Sequence, residues 1–165
     1  MPRRSFSSQR GFTLVEIMVV VLIVSVLAMA AVPAFARMKA KARTSTIVND
    51  FRVFAAAFDA YAHETGNWPA DAAAGVMPAE MAGRIDQDAW TRTTPLGGQY
   101  NWENDQMHFG TRYRGCIVVS STAAAPFTLD VGAMVSIDRA IDDGNLLSGN
   151  FRVGTGLVPL FVVQR

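Results

Sequence analysis

Glu16 opens a long apolar run, and a charge in that position needs a physical reason. In GFTLVEIMVVVLIVSV it lies five residues after Gly11, and no further charge appears from Ile17 to Ala36. Ionised side chains at the centre of a spanning helix cost roughly 2.5–3.5 kcal/mol on insertion scales, so this carboxylate requires a partner or a route to water. A second group is Asp138, Asp142 and Asp143, gathered before Gly144. Such an all-oxygen set suits calcium, although its spacing departs from the alternating ligands of a helix–loop–helix calcium loop; the polarity of a helix end and turn is the other reading. His63 begins HETGN, which lacks the second histidine of a zinc-protease helix, and His108 is distant in sequence, so no zinc pair is expected. Cys116 is the only cysteine, which excludes an intramolecular disulfide; in GCIVVS it reads as a buried structural thiol rather than a nucleophile. Gly97-Gly98 and Gly154-Thr155-Gly156 are turn signals rather than phosphate cradles. No catalytic constellation emerges, and the chain is not expected to be an enzyme.

The elements that must carry these groups follow from periodicity. Ile17 to Ala36 is twenty uncharged residues, enough as a helix to cross a hydrocarbon layer of about 30 Å. A cleaved secretory signal with a cut at Ala34-Phe35-Ala36 is the competing reading, but its apolar centre would be only about 7–15 residues long. Pro33 removes one helical hydrogen bond and is expected to kink or loosen the helix. Beyond it, Ile47, Phe51, Phe54, Phe58 and Tyr61 recur at helical spacing and must cover a core. Gly66 and Asn67-Trp68-Pro69 end the helix, which is therefore near-continuous from Phe12 to about Thr65.

The remainder is strand-rich. Ala70 to Arg92 reads as a loop with a short helix near Pro78 to Ile85. Tyr100 and Trp102 alternate, a polar turn is expected around Glu103 to Gln106, and a hairpin then continues into a third strand at Cys116 to Ser120. FTLDV alternates briefly. Met134, Ile137 and Ile141 mark a short helix ending at Gly144, and Phe151–Val153 and Leu157–Val163 are closing strands. Trp68, Trp90 and Trp102 are expected in the core or at turns rather than as a stacking platform.

Half of the 165 residues are hydrophobic and the net charge is +1, a composition that excludes a disordered chain. The charge is uneven: Arg3, Arg4 and Arg10 precede the apolar run, and Arg37, Lys39, Lys41 and Arg43 follow it. Basic residues therefore flank both sides and leave its orientation undecided. The later four read as a solvated or headgroup-contacting face, or as a contact for acidic neighbours. From Thr44 onward eight basic residues face thirteen acidic ones, so nucleic acid is not expected as a partner.

Gly11-Phe12-Thr13-Leu14-Val15-Glu16, between a short basic leader and an uncharged run, resembles the processing signature of type IV pilins and of the pseudopilins of type II secretion. Segments around Thr94–Trp102 and Ile137–Val153 are similar to recurrent pilin-like segments. The resemblance implies an α+β fold, with a long N-terminal helix packed on a small antiparallel sheet. It implies residues 1–11 as leader, 12–36 as the membrane half of the helix, 37–66 as its amphipathic half and 67–165 as the head. It further implies cleavage after Gly11 by a prepilin peptidase, N-methylation of Phe12, and Glu16 as an assembly residue that neutralises the new ammonium on a neighbouring subunit. Snorkelling of Glu16 to the headgroups is the simpler alternative. Pro33 matches a proline many members carry, and the major pseudopilins bind calcium in the C-terminal loop region, where Asp138, Asp142 and Asp143 lie. The implied partners are other pilin or pseudopilin subunits, an inner-membrane assembly platform and the lipid bilayer, with the head periplasmic or in an external filament. The absence of a cysteine pair favours a pseudopilin-like or minor subunit. A minor pilin serving adhesion or uptake at a fibre tip, and a membrane-anchored enzyme, are the alternatives.

Overall fold

The computed structural model describes residues 11–165; the basic leader, including Arg3, Arg4 and Arg10, lies outside the described residues. Helix α1 runs Leu14–Thr65, continuing through Pro33. A 3-10 turn (Ala79–Met81) and a one-turn helix α2 (Gln87–Thr91) lead to strands β1 (Gln99–His108) and β2 (Thr111–Ser120). Helix α3 (Val131–Ile141) and strands β3 (Phe151–Val153) and β4 (Pro159–Gln164) complete the chain. Two compact units result, one ending at Lys39 and one spanning Ala40–Arg165.

In the second unit the four strands form one antiparallel sheet in the order β1-β2-β4-β3. The connection through α3 returns the chain to pair β4 with β2, which places the last strand inside the sheet. The helical stripe predicted from spacing is the face that packs here: Ile47, Phe51, Phe54 and Phe58 are buried. Phe58 stacks on Trp102 with ring centroids 3.8 Å apart, and Phe54 meets Tyr100 and Trp90 edge-on, each at 5.0 Å. Phe51 stacks on Phe161 at 5.3 Å. Tyr61 at the end of the stripe is only partly buried. All three tryptophans join this packing, with Trp90 and Trp102 fully buried and Trp68 at the margin.

One buried polar knot ties the layers. Asp50, on the buried side of α1, accepts hydrogen bonds from Tyr100 Oη at 2.8 Å and Arg92 Nη2 at 2.5 Å. A buried carboxylate without such donors would be costly, so this triad pins α1 to β1 and to the end of α2. Burial beside that negative charge pushes the Tyr100 hydroxyl up, so it stays a donor.

Several local expectations are corrected. The polar run Glu103–Gln106 is not a turn: β1 continues through it, with Glu103 and Asp105 paired to His108 and Arg112 in the same hairpin and the other two side chains satisfied by the preceding loop. Asn104 Nδ2 donates to Pro69 O at 3.0 Å and Gln106 Nε2 to Asp71 Oδ2 at 3.2 Å. The turn is at Phe109-Gly110, both left-handed (φ 46° and 79°), as a two-residue hairpin requires. A phenylalanine in that conformation hides the signal that Asn-Gly would give. Consequently Cys116–Ser120 is the second half of β2 and not a third strand. The helix expected at Pro78–Ile85 is only a 3-10 turn; the α-helix follows it, where Asp86 caps Gln87–Thr91 by accepting from Asp88 N at 2.9 Å. FTLDV forms no strand, and α3 stops at Ile141, short of Gly144.

Candidate assembly helix and aspartate loop

Thr13 and Glu16 form a reciprocal cap at the start of α1. Thr13 Oγ1 accepts from the Glu16 N–H at 3.2 Å, while Glu16 Oε2 accepts from the Thr13 N–H and from its hydroxyl, each at 2.8 Å. This is the Thr-x-x-Glu capping box, legible in Thr13-Leu14-Val15-Glu16 but masked by the larger puzzle of a charge in an apolar run. Within a single chain the carboxylate therefore already has two donors and sits at the positive end of the helix. Gly11 and Phe12 precede the helix and are exposed.

Past this cap, the apolar side chains from Leu14 to Phe35 have nothing over them; Leu27 is 64% and Met29 82% exposed. Ser25 satisfies its hydroxyl within the helix, donating to Val21 O at 2.7 Å. By length and composition this is a helix able to cross a membrane. So long an uncovered apolar surface demands lipid or other helices around it. Arg37, Lys39, Lys41 and Arg43 are exposed and, among the described residues, join no ion pair.

The three aspartates gather where α3 ends. Asp142 Oδ2 accepts the N–H groups of Asn150 (2.6 Å) and Phe151 (2.7 Å), closing the loop onto the start of β3. Gly149 is obligatory there: its φ is 77°, and a Cβ would lie 2.6 Å from Asp142 Oδ2. Asp143 Oδ1 accepts from Asn145 N at 2.9 Å. Asp138 differs from both, being fully buried with neither carboxylate oxygen paired. Burial raises its pKa, Asp143 and Asp142 add to the rise, and the nearby Gly144 N–H, which does not reach hydrogen-bond geometry, opposes it only in part. The negative end of α3 is also the unfavourable end for a carboxylate.

A raised carboxyl pKa means that the folded chain binds a proton more tightly than the unfolded chain. Stability therefore falls as pH rises from the ordinary carboxylate range through the raised folded value. Asp138→Asn is expected to stabilise the head at neutral pH, because a neutral amide in place of the carboxylate removes the cost of burying a charge and the repulsion from Asp143 and Asp142. The gain should vanish at acidic pH, where Asp138 is protonated. Thermal melts of the two chains at both pH values check this.

His63 pairs with Asp59 at 3.5 Å on the exposed side of α1 and takes part in no wider cluster. His108 and Cys116, far apart in sequence, are brought together with Glu103, a grouping invisible to motif spacing. Burial and the carboxylates of Glu103 and Asp71 push the Cys116 thiol up, so it has no nucleophile's character.

Residues 6–32 match the prokaryotic N-terminal methylation motif. The chain is 37% identical over 76 residues to the fimbrial protein EcpC of Eikenella corrodens, a stretch covering 46% of this chain and 50% of that protein. It is 42% identical over 62 residues to type II secretion system core protein G of Klebsiella michiganensis, covering 38% and 44%. The corresponding protein of Klebsiella pneumoniae is 43% identical over 61 residues, covering 37% and 44%. The matched stretch thus spans half or slightly less of each relative.

Proposed function

We propose, on the premise that the N-terminal segment of this chain is that of a type IV pilin or pseudopilin, that the whole chain is a structural subunit of a pilus or a secretion pseudopilus. The observation that carries this reading is the uncovered apolar helix behind a Gly11-Phe12 junction that matches the methylation motif. A prepilin peptidase cuts after Gly11 and Phe12 becomes the methylated N-terminus. The precursor stands in the bacterial inner membrane with its head in the periplasm, until an assembly platform moves it into a filament of similar subunits. Catalysis has no part in it.

The chemistry of assembly follows from charge. Cleavage creates an ammonium at Phe12 in a poorly hydrated layer, and Glu16 of an adjoining subunit is its counter-ion. An unpaired buried charge costs far more than a paired one, so the pair fixes the axial register of neighbouring helices. Before assembly, Thr13 holds the carboxylate in place. Pro33 has no N–H for the Met29 carbonyl and gives the packed helix a local point of adjustment. Repetition of one head-to-tail contact generates an open helix, the geometry of a fibre. The intact mass of the mature subunit tests the processing step: it should correspond to a chain starting at N-methylated Phe12. A start at Arg37, after a signal-type cut, would remove the assembly helix and the reading with it.

Calcium in the aspartate loop belongs to the same proposal. The donors are all oxygen, and Asp138 is a buried carboxylate that lacks a partner, which is what a hard cation would supply. Asp138 would hold the ion with help from Asp142 and Asp143, whose carboxylates must first move closer because the three do not lie within ligand distance of one another, and the ion when bound would supply positive charge against them. Calcium should raise the melting temperature of the head and the chelator EGTA should reverse it, with Asp138→Asn insensitive to both.

A further inference from the structure

We propose that Glu103, His108 and Cys116 form a binding site for a zinc-like divalent cation, which staples the β1–β2 hairpin from its tip to its middle. Glu103 and Cys116 face each other directly across the two strands. His108 should point to the opposite side of β1, since it is five residues on. The left-handed residue Asp105 (φ 61°) interrupts the alternation and returns His108 to the same face. The three side chains are largely withdrawn from water: Cys116 is fully buried, and the His108 and Glu103 side chains are 8% and 17% exposed.

The spacing is that of a metal triad with a proton where the ion would be. His108 Nε2 lies 2.7 Å from Glu103 Oε2, and Cys116 Sγ lies 4.0 Å from the first and 3.9 Å from the second. Tetrahedral bonds of roughly 2.0–2.3 Å separate such ligand atoms by roughly 3.3–3.6 Å. The two distances to sulfur are slightly wide and the N···O distance is short because a hydrogen bond contracts it. Small side-chain rotations convert one arrangement into the other. Among the described residues this is the one set of three potential ligand atoms so closely grouped.

The donor types select the ion. A thiolate, an imidazole and a carboxylate suit zinc and its borderline neighbours, whereas calcium prefers oxygen alone. The site is thus chemically distinct from the aspartate loop. A lone cysteine cannot close a disulfide, and a cation is the other cross-link open to this hairpin. Binding releases the thiol proton to solvent.

The present hydrogen bonds predict one further change. Thr155 N–H donates to His108 Nδ1 at 3.1 Å, so the ring proton sits on Nε2 and is given to Glu103. A cation on Nε2 moves that proton to Nδ1, and the Thr155 amide must turn away. Metal occupancy is therefore coupled to the loop between β3 and β4.

Titration of the full chain in detergent with Co2+, after dialysis against EDTA, tests the site. One ion per chain is expected, with a thiolate-to-cobalt charge-transfer band that Zn2+ abolishes by displacement, and with a shifted Thr155 amide resonance. Cys116→Ser should lose the band, and Glu103→Gln, which keeps a hydrogen bond to His108 and protects the fold, should weaken affinity at least about tenfold. His63→Ala should leave both unchanged. Absence of the band from the parent chain, or undiminished affinity in both Glu103→Gln and His108→Asn, overturns the proposal.

Discussion

Glu16→Gln is expected to abolish incorporation into fibres while leaving membrane insertion intact, and Thr13→Val is expected to be far milder. The pair separates two roles that alanine would confuse. Glutamine can still serve in the Thr13 capping box, which is geometric, but it carries no charge to meet an ammonium. If capping were the whole function of Glu16, the Gln chain would assemble normally. If the carboxylate neutralises the Phe12 ammonium of an adjoining copy, loss of the charge strands that cation in a layer where an uncompensated charge costs about 3–5 kcal/mol. A contact repeated at every subunit cannot absorb that cost, so the expected phenotype is loss of fibres rather than shorter ones. Sheared-fibre yield compared with membrane-bound subunit checks it, and normal fibres from the Gln chain would refute the charge-pairing account.

Phe58→Ala should be among the most damaging single substitutions at the junction of helix and sheet. Its ring is fully buried, stacks on Trp102 and tilts against Trp90 at 5.6 Å, so truncation leaves a cavity at the junction of helix and sheet. Large-to-small changes of this kind cost about 3–5 kcal/mol, against a typical domain stability of about 5–15 kcal/mol. A fall in melting temperature of more than about 10 °C follows for a domain of this size. Val53→Ala is the matched control on the same helix. Val53 is 51% exposed, and its loss should stay within about 0.5 kcal/mol. Tryptophan fluorescence reports both, because the stacked Trp102 is the local probe. Equal effects of the two substitutions would mean that the stripe does not face the sheet.

The sequence by itself determined whatever depends on neighbours a few residues apart. Spacings of three and four placed Ile47, Phe51, Phe54 and Phe58 on one helical face, because a helix repeats every 3.6 residues whatever it packs against. The uncharged run after Glu16 and the Gly11-Phe12 junction were equally local, and the capping box was legible in Thr13-x-x-Glu16. Only the tertiary structure decided which groups meet across the sheet. Glu103 through Gln106 read as a turn by composition, yet the loop at Pro69–Asp71 satisfies Asn104 and Gln106, and His108 and Arg112 within the hairpin meet Glu103 and Asp105, so the run is a strand. Glu103, His108 and Cys116 converge because strand register and one left-handed residue override alternation. Asp138 looked like its two acidic companions, but burial at the end of α3 left it alone without a donor. Periodicity is written along the chain, whereas burial and register are set by contacts whose partners lie tens of residues away.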